Sequence, residues 1–468
     1  MKKKWLSLLL VFAMVLSLTA CGNNGSETAA NETEAATNEA EQEPAAQEEA
    51  EAPAAEEAAP ASDGDTIKIG VLCYLSSTRS ATLGFFQIGW EAAAAEINAA
   101  GGIDGKNVEF LLYDPQGDAA QVSQRLTEAK NDGCVAALFT SGDDLAPTAA
   151  EWAEENKFPV ILQSNTSTEV TLKHFSEYCY NVGPNAWAFA KMLALSAVGE
   201  EGKKNFVFCG TDGAATIDAE NLLILEGQKL DPDFECLASY RVSTSDSEFS
   251  NIISQIATTA PDMVLQQGGG PTFVSFAQQG LMFGLFDVSD VYNDFVVDTS
   301  TNSGLAETGE YPYGSTKGMF LLNFWDESKM DDTIKNFCDL YMENEICASS
   351  GYVAPADAGL SCYRGVKAIA LGIQACLDAG TDYTDPQVLT EAIGGISWED
   401  STGEHHFREL DNQLTFDYYY GVSCEEGSEA YNGNPVATDI ITYSSDDLLP
   451  TEQEMKDYAE KLGVTGRF

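Results

Sequence analysis

From residue 67 onward the chain alternates short, apolar, β-branched runs with longer stretches of helical periodicity, and this rhythm constrains the fold more than any other feature. The run 67–75 precedes a helix over 86–99 that stops at Gly101 and Gly102; strand 108–113, helix 119–131, strand 135–139, helix 145–155 and strand 159–162 follow. After Asn185 the rhythm restarts with helix 186–198, strand 205–209, helix 219–229, strand 235–240, helix 248–258, strand 263–266, helix 272–282 and strand 294–298. A third block holds the apolar run 318–324 and helices 333–345, 356–379 and 385–394, and 413–422 and 437–443 read as antiparallel strands. Strands separated by helices build right-handed βαβ units around a parallel sheet covered on both faces. The expected class is α/β, with two doubly wound parallel-sheet lobes, because about 400 residues exceed one ordinary core.

The amino-terminal end follows another logic. Lys2, Lys3 and Lys4 precede an uncharged run that closes on Leu18, Thr19, Ala20 and Cys21. It is shorter than the roughly 20 apolar residues that span a bilayer, and has the profile of a secretory signal. The segment resembles a bacterial lipoprotein signal, which implies cleavage before Cys21 and lipidation of that cysteine as the mature N-terminus. Residues 22–64 contain no aromatic residue, Lys or Arg, so they cannot bury enough apolar surface to offset ordering and read as a disordered acidic tether.

The formal net charge is −50, and outside signal and tether 62 acids still face 21 bases. Nucleic acid is excluded as a partner, since phosphate binding needs clustered Lys and Arg. Of the ten cysteines besides Cys21, an even count that in an exported protein would suggest disulfides, several, such as Cys73, Cys134 and Cys209, sit in or beside apolar runs and read as small buried hydrophobes. No C-x-x-C and no Cys/His cluster has metal-ligand spacing, so no metal and no cofactor is expected. The three histidines, His174, His405 and His406, lie away from the strand-end loops; His405 and His406 adjoin a turn at Gly403 and are expected to be exposed. With no G-x-S-x-G elbow either, the chain is not read as an enzyme.

Ile69, Gly70 and Val71 through Leu75 and Ser76, then Gly84 and Gly89, the run Ala93 to Gly105, and Tyr113 with Asp114 carry a resemblance. They are similar to the opening of the type I periplasmic binding proteins, the leucine/isoleucine/valine-binding branch in particular. The likeness continues through 158–166, 262–285 and 362–380. It implies two α/β lobes joined by a three-strand hinge, closure on a ligand, delivery to an ABC permease, and a monomer. The implied organisation is 1–21 signal, 22–64 tether, 65–184 and 318–412 first lobe, 185–317 and 413–468 second lobe, with crossovers near Pro184, Lys317 and Asn412.

Ligands of open parallel sheets lie beyond the carboxyl ends of the strands. The loops at those ends are 76–85, 140–144, 163–168, 210–216, 267–272 and 299–303. By the resemblance, Ser141, Ser164 and Thr166 match positions that hold the α-carboxylate and α-ammonium of an amino acid; alternatively they cap the following helices. Asp294, with Asp298 as rival, falls near the acidic partner of the ammonium. Gly268 and Gly269 let a backbone approach a ligand closely. Tyr352 aligns with an aromatic wall of the side-chain pocket, or is ordinary packing. The chain departs from the family at Gly213, Ala214 and Ala215, where relatives carry an aromatic-glycine pair, and at Asp143 and Asp144, which either favour a cationic ligand or cap the helix at Leu145. Arg79 either meets a ligand carboxylate or is solvated. The expected function is that of a lipid-anchored substrate-binding protein on the outer face of the cell membrane, binding a small, branched-chain-like amino acid. The alternatives are a small amide or urea, an aromatic acid, a nucleoside, or a sensor acting through a separate receptor.

Overall fold

The alternation resolves into two sheets that repeat one strand order. The computed structural model describes residues 66–76, 80, 83–163, 165–243, 246–267, 271–293, 314–321, 327–350, 352, 354–423, 429–431 and 434–468. In the first sheet β1 (Thr66–Leu72) pairs with β2 (Asn107–Tyr113) and with β3 (Ala136–Phe139), and β4 (Val160–Leu162) and β5 (Cys179–Asn181) follow, all parallel, in the order β2-β1-β3-β4-β5. Helices α1 (Leu83–Ala99), α2 (Ala119–Asn131), α3 (Ala146–Asn156) and α4 (Glu169–Leu172) connect them. The Ala93 to Gly105 run earns its composition at its end. Gly101, Gly102, Asp104 and Gly105 all take positive φ, of 100°, 75°, 52° and 73°, and a Cβ on Gly102 would lie 2.2 Å from Lys106 O. Asn98 Oδ1 then accepts from Val108 N at 2.8 Å and ties the turn to β2.

The second sheet repeats the order with α5 (Ala186–Leu193), continued by a π-helical segment Ala194–Glu200, then β6 (Asn205–Thr211), α6 (Ala214–Leu230), β7 (Glu235–Val242), α7 (Ser250–Thr259), β8 (Met263–Gln267), α8 (Pro271–Met282), β9 (Asp290–Asn293) and β10 (Thr316–Phe320). Its parallel part runs β7-β6-β8-β9-β10. A strand not foreseen from sequence runs Asp290–Asn293, with Val291, Tyr292 and Asn293 buried, and the strand expected over 294–298 lies outside the described residues. The run 318–324, expected to open the second part of the first lobe, contains Gly318 to Phe320 of β10, which pair with Gly421 to Tyr419 in the second sheet, so the chain does not change lobes at Lys317.

Helices α9 (Asp332–Glu343), α10 (Glu345–Ser350) and α11 (Asp357–Ala379) pack on α1, which returns the chain to the first lobe, and α12 (Pro386–Gly394) packs on α11. A hairpin not foreseen from sequence follows, β11 (Ser397–Asp400) and β12 (Gly403–His406). His405 is therefore not exposed: it is 1 % accessible, stacked on Trp398 at 4.7 Å, with Nδ1 facing Thr415 O at 2.9 Å and Nε2 facing Asp400 Oδ1 at 3.0 Å. The buried Arg364 of α11 donates to Thr402 Oγ1 (2.7 Å) and lies over the Phe416 ring (4.5 Å), which anchors the hairpin. Burial pushes the Asp400 carboxyl up, but the hydrogen bond and charge of His405, then Arg364 and Thr402, outweigh it and hold the group well below the usual carboxylate range.

The chain then returns to the second sheet. Residues 412–414 run beside the end of β5, with Asn181 N donating to Asn412 O (3.0 Å) and Leu414 N to Asn181 O (2.8 Å). The fully buried Gln413 stitches both crossing segments: its Oε1 accepts from Asn181 Nδ2 (2.6 Å) and Asn185 Nδ2 (3.3 Å), and its Nε2 donates to Gly183 O (2.8 Å) and Leu414 O (3.0 Å). Antiparallel β13 (Tyr418–Val422), β14 (Glu429–Tyr431) and β15 (Asn434–Tyr443) extend the sheet beyond β10, and α13 (Ser445–Leu448) and α14 (Glu452–Lys461) close the chain. Of the nine described cysteines, eight are buried and Cys236 is half-buried. Burial pushes the Cys73 and Cys179 thiols up to about 12, so they behave as apolar packing groups.

Candidate functional site

Strand order reverses direction between β1 and β3 in one sheet and between β6 and β8 in the other, and the loops beyond the carboxyl ends of those strands form the candidate site. In the first lobe Thr140 Oγ1 donates to Leu72 O (3.0 Å), and the Tyr74 hydroxyl donates to Ser141 O, so the loop after β3 is held against the end of β1. Ser141 is fully buried, and its Oγ meets no hydrogen-bond partner among the described residues. Beyond β4, Asn165 is 0 % exposed and both atoms of its carboxamide are likewise unpartnered among the described residues. Next to it, the half-buried Thr166 donates its hydroxyl to Asp143 Oδ2 in the loop after β3.

The second lobe presents Gln267 at the end of β8, 5 % exposed, its Nε2 without a partner among the described residues. Asn293 closes β9 and donates Nδ2 to Gln266 O at 3.0 Å. Helix α6 opens on Gly213, Ala214 and Ala215, with Thr216 Oγ1 donating back to Thr211 O (2.5 Å). The two lobes meet where Thr166, Asn185, Ala215, Gln267 and Met319 border a cavity of about 10 Å³, enough for at most one water. Beside it, Asp218 of α6 accepts from Thr168 N (2.6 Å) and from the Tyr458 hydroxyl (2.9 Å), joining both lobes and α14; burial pushes its carboxyl up despite these bonds. A buried polar atom left unpaired costs about 1–3 kcal/mol, so orphaned hydroxyl and carboxamide groups gathered at facing strand ends mark where a ligand's polar groups would bind.

Of the residues expected from sequence, Ser141 and Thr166 lie in these two neighbouring loops. Tyr352 stacks on Phe85 in the first turn of α1, with ring centroids 4.3 Å apart and planes at 20°. Ser164, Gly268, Gly269, Asp294 and Cys21 lie outside the described residues, as do Arg79 and Asp298. Leu145 is the N-cap of α3 and its own side chain makes no capping bond, while Asp143 accepts from Thr166 across the two loops. Asn165 and Gln267 were not singled out, although each is a polar residue at the end of an apolar strand, the signal that could have found them. Among the described residues no group of three His, Cys, Asp or Glu side chains is placed to hold a metal. A larger groove of about 360 Å³ is bordered by Tyr178, Tyr180, Phe407 and Asn412. Tyr178 precedes β5, so this groove opens at the amino end of the first sheet, away from the switch point.

Two doubly wound lobes, linked by crossing segments stitched together and facing each other through polar strand ends, define a two-lobed α/β solute-binding protein. The chain belongs to the periplasmic binding protein family, whose model matches residues 66–427, and within it to the type I proteins of ABC transporters. It is thus a solute-binding protein of the extracytoplasmic kind. Similar solved structures include a solute-binding protein of R. palustris in complex with 4-hydroxybenzoate, at 19% identity and TM-score 0.68, covering 81% of this chain and 97% of that one. A leucine-, isoleucine-, valine-, threonine- and alanine-binding protein of Brucella ovis, in a closed conformation, is 16% identical with TM-score 0.69, covering 82% and 97%. A branched-chain amino acid transporter substrate-binding protein of Streptococcus pneumoniae, in complex with isoleucine, is 17% identical with TM-score 0.64, covering 81% and 99%. Among the described residues no helix is long and apolar enough to cross a membrane.

Proposed function

We propose that the chain is the substrate-binding lipoprotein of an ABC importer, closing its lobes on one small, branched-chain-like amino acid and delivering it to a membrane permease. The observation that carries this reading is that Ser141 Oγ, the Asn165 carboxamide and Gln267 Nε2, buried and unpartnered among the described residues, lie at strand ends of the two lobes, Gln267 bordering the same cavity as Thr166. Hydroxyls and carboxamides bind a zwitterion without importing net charge. In this reading Ser141, Ser164 and Thr166 engage the ligand's backbone groups and Asp294 completes the ammonium site. Gly268 and Gly269 admit close backbone approach, and Tyr352 walls the side-chain pocket. The signal 1–21 ends at a lipidated Cys21, and 22–64 tethers a monomeric binding unit to the outer face of the membrane.

Thermal unfolding of the full chain against the twenty amino acids, urea, small amides, aromatic acids and nucleosides tests this. Stabilisation follows RT ln(1 + [L]/Kd), about 4 kcal/mol at a thousandfold excess over Kd. An amino acid should give the largest shift, and Thr166→Ala should weaken its binding by more than about 1 kcal/mol, the scale of a hydrogen bond to a charged group. A shift with aromatic acids alone would assign the chain the ligand class of the R. palustris neighbour instead.

A further inference from the structure

A threonine hydroxyl has one proton to give. Thr166 donates it to Asp143 Oδ2, across the loops after β4 and β3, so toward the cleft its oxygen offers lone pairs alone. At Thr166 the first-lobe wall therefore presents a hydrogen-bond acceptor backed by a carboxylate. The site it belongs to is marked independently by Gln267, which borders the same cavity as Thr166, is 5 % exposed, and carries an Nε2 unpartnered among the described residues. The N-cap of α3 is Leu145, whose side chain makes no capping bond, while the Asp143 carboxylate accepts from Thr166 across the loops. The field of the whole chain acts in the same direction. At a net charge of −50 it draws cations toward a cleft and repels anions.

We propose that Asp143 is a specificity-determining residue: by turning the Thr166 oxygen toward the ligand as an acceptor, and by its own charge, it selects solutes bearing an ammonium group and rejects simple carboxylate anions. The inference rests on the amino-acid reading above and deepens it, since Asp143 acts whichever amino acid fills the side-chain pocket. Carboxylate-only solutes would place a negative charge against the Thr166–Asp143 pair, which has no proton to offer.

The test is titration calorimetry on the full chain, wild type and D143N, with each of the twenty amino acids and, for those that bind, the carboxylic acid lacking only the ammonium: L-leucine against 4-methylpentanoate, for example. 4-Hydroxybenzoate serves as a further anion. Wild type should bind the amino acid and discriminate against its des-amino partner by at least about tenfold, the worth of one hydrogen bond to a charged group, and D143N should lose most of that ratio. A purely structural role for Asp143 would weaken both ligands alike and leave the ratio unchanged, which overturns the proposal while keeping the amino-acid reading. Wild-type binding of 4-hydroxybenzoate in preference to every amino acid, or of no amino acid at all, overturns both. If D143N does not fold, as read by its ligand-free unfolding midpoint, D143E and T166V decide: the first should keep the ratio because it keeps the charge, and the second should lose it because it removes the acceptor. The opposite pattern refutes the assignment.

Discussion

Gly89 sits where α1 crosses α11, and replacing it with alanine pits two effects of opposite sign against each other. A Cβ built at Gly89 lies 2.1 Å from the Gly359 carbonyl oxygen and 2.7 Å from its carbonyl carbon and Cα. Those atoms are backbone of a neighbouring helix, so no side-chain tip can swing aside. Restoring ordinary contact needs the helices to separate by roughly 1 Å, against an interior packed as densely as an organic crystal. Gly359 has no room to retreat: a Cβ there would meet the Tyr341 ring at 2.5 Å and Phe85 O at 2.9 Å. Overpacking of this kind costs about 1–3 kcal/mol and occasionally more, while alanine in place of glycine in a helix returns about 1 kcal/mol. With main chain as the obstacle the cost falls at the upper end, and G89A should be destabilised by about 2 kcal/mol. Displacing α1 also moves Phe85 and the Tyr352 ring stacked on it, at the edge of the strand-end loops. Urea unfolding reads the effect as a lowered midpoint at unchanged slope. G199A is the control, since its Cβ meets nothing nearer than Leu230 Cδ1 at 3.6 Å, and it should be neutral or slightly stabilising. If G89A proves as stable as wild type, helix propensity dominates and the close-crossing argument fails.

Two further perturbations follow from the linkers and the hairpin. Gln413→Leu removes the Gln413 bonds to Asn181 Nδ2, Asn185 Nδ2 and Gly183 O, of which Asn181 Nδ2 and Gly183 O keep their 3.1 Å bond to each other, and should cost about 1–3 kcal/mol in unfolding free energy; a loss below about 0.5 kcal/mol would show the stitch to be dispensable. Asp400 is held below the usual carboxylate range, so folded protein binds fewer protons there than unfolded protein; its contribution is complete above the ordinary carboxylate pKa and is lost as pH falls from that pKa toward the lower folded value. The midpoint of thermal unfolding should therefore drop as pH falls below about 5, less steeply in Asp400→Asn than in wild type, and parallel profiles would remove Asp400 from the account.

Most of the strand and helix pattern was legible because it rests on local features. Continuous apolar runs such as Ala136–Phe139, helix stops such as Gly101 with Gly102, and the spacing between them all act over a few residues. Where signals were short or shared, reading failed. The three-residue strand Cys179–Asn181 is too brief to register as a periodicity, and the hairpin of Ser397–Asp400 with Gly403–His406 is polar on its open side. The candidate site was legible by region rather than by residue. Strand-end loops could be named from chain order, and Ser141 and Thr166 fell within them.

The sequence by itself determined the class: a βαβ rhythm run twice, too acidic for nucleic acid and without the groupings of a hydrolase or a metal site. Partnership at a distance was decided by tertiary structure alone. Whether the run at Gly318 belongs to one lobe or the other depends on its pairing with residues a hundred positions later. Whether His405 meets water depends on Trp398, Asp400 and Thr415 enclosing it. Whether Asp143 meets the Thr166 hydroxyl depends on two parallel strands bringing their ends together. Propensity and hydrophobic period are properties of neighbours along the chain, whereas the direction in which a hydroxyl donates its proton is a property of neighbours in space.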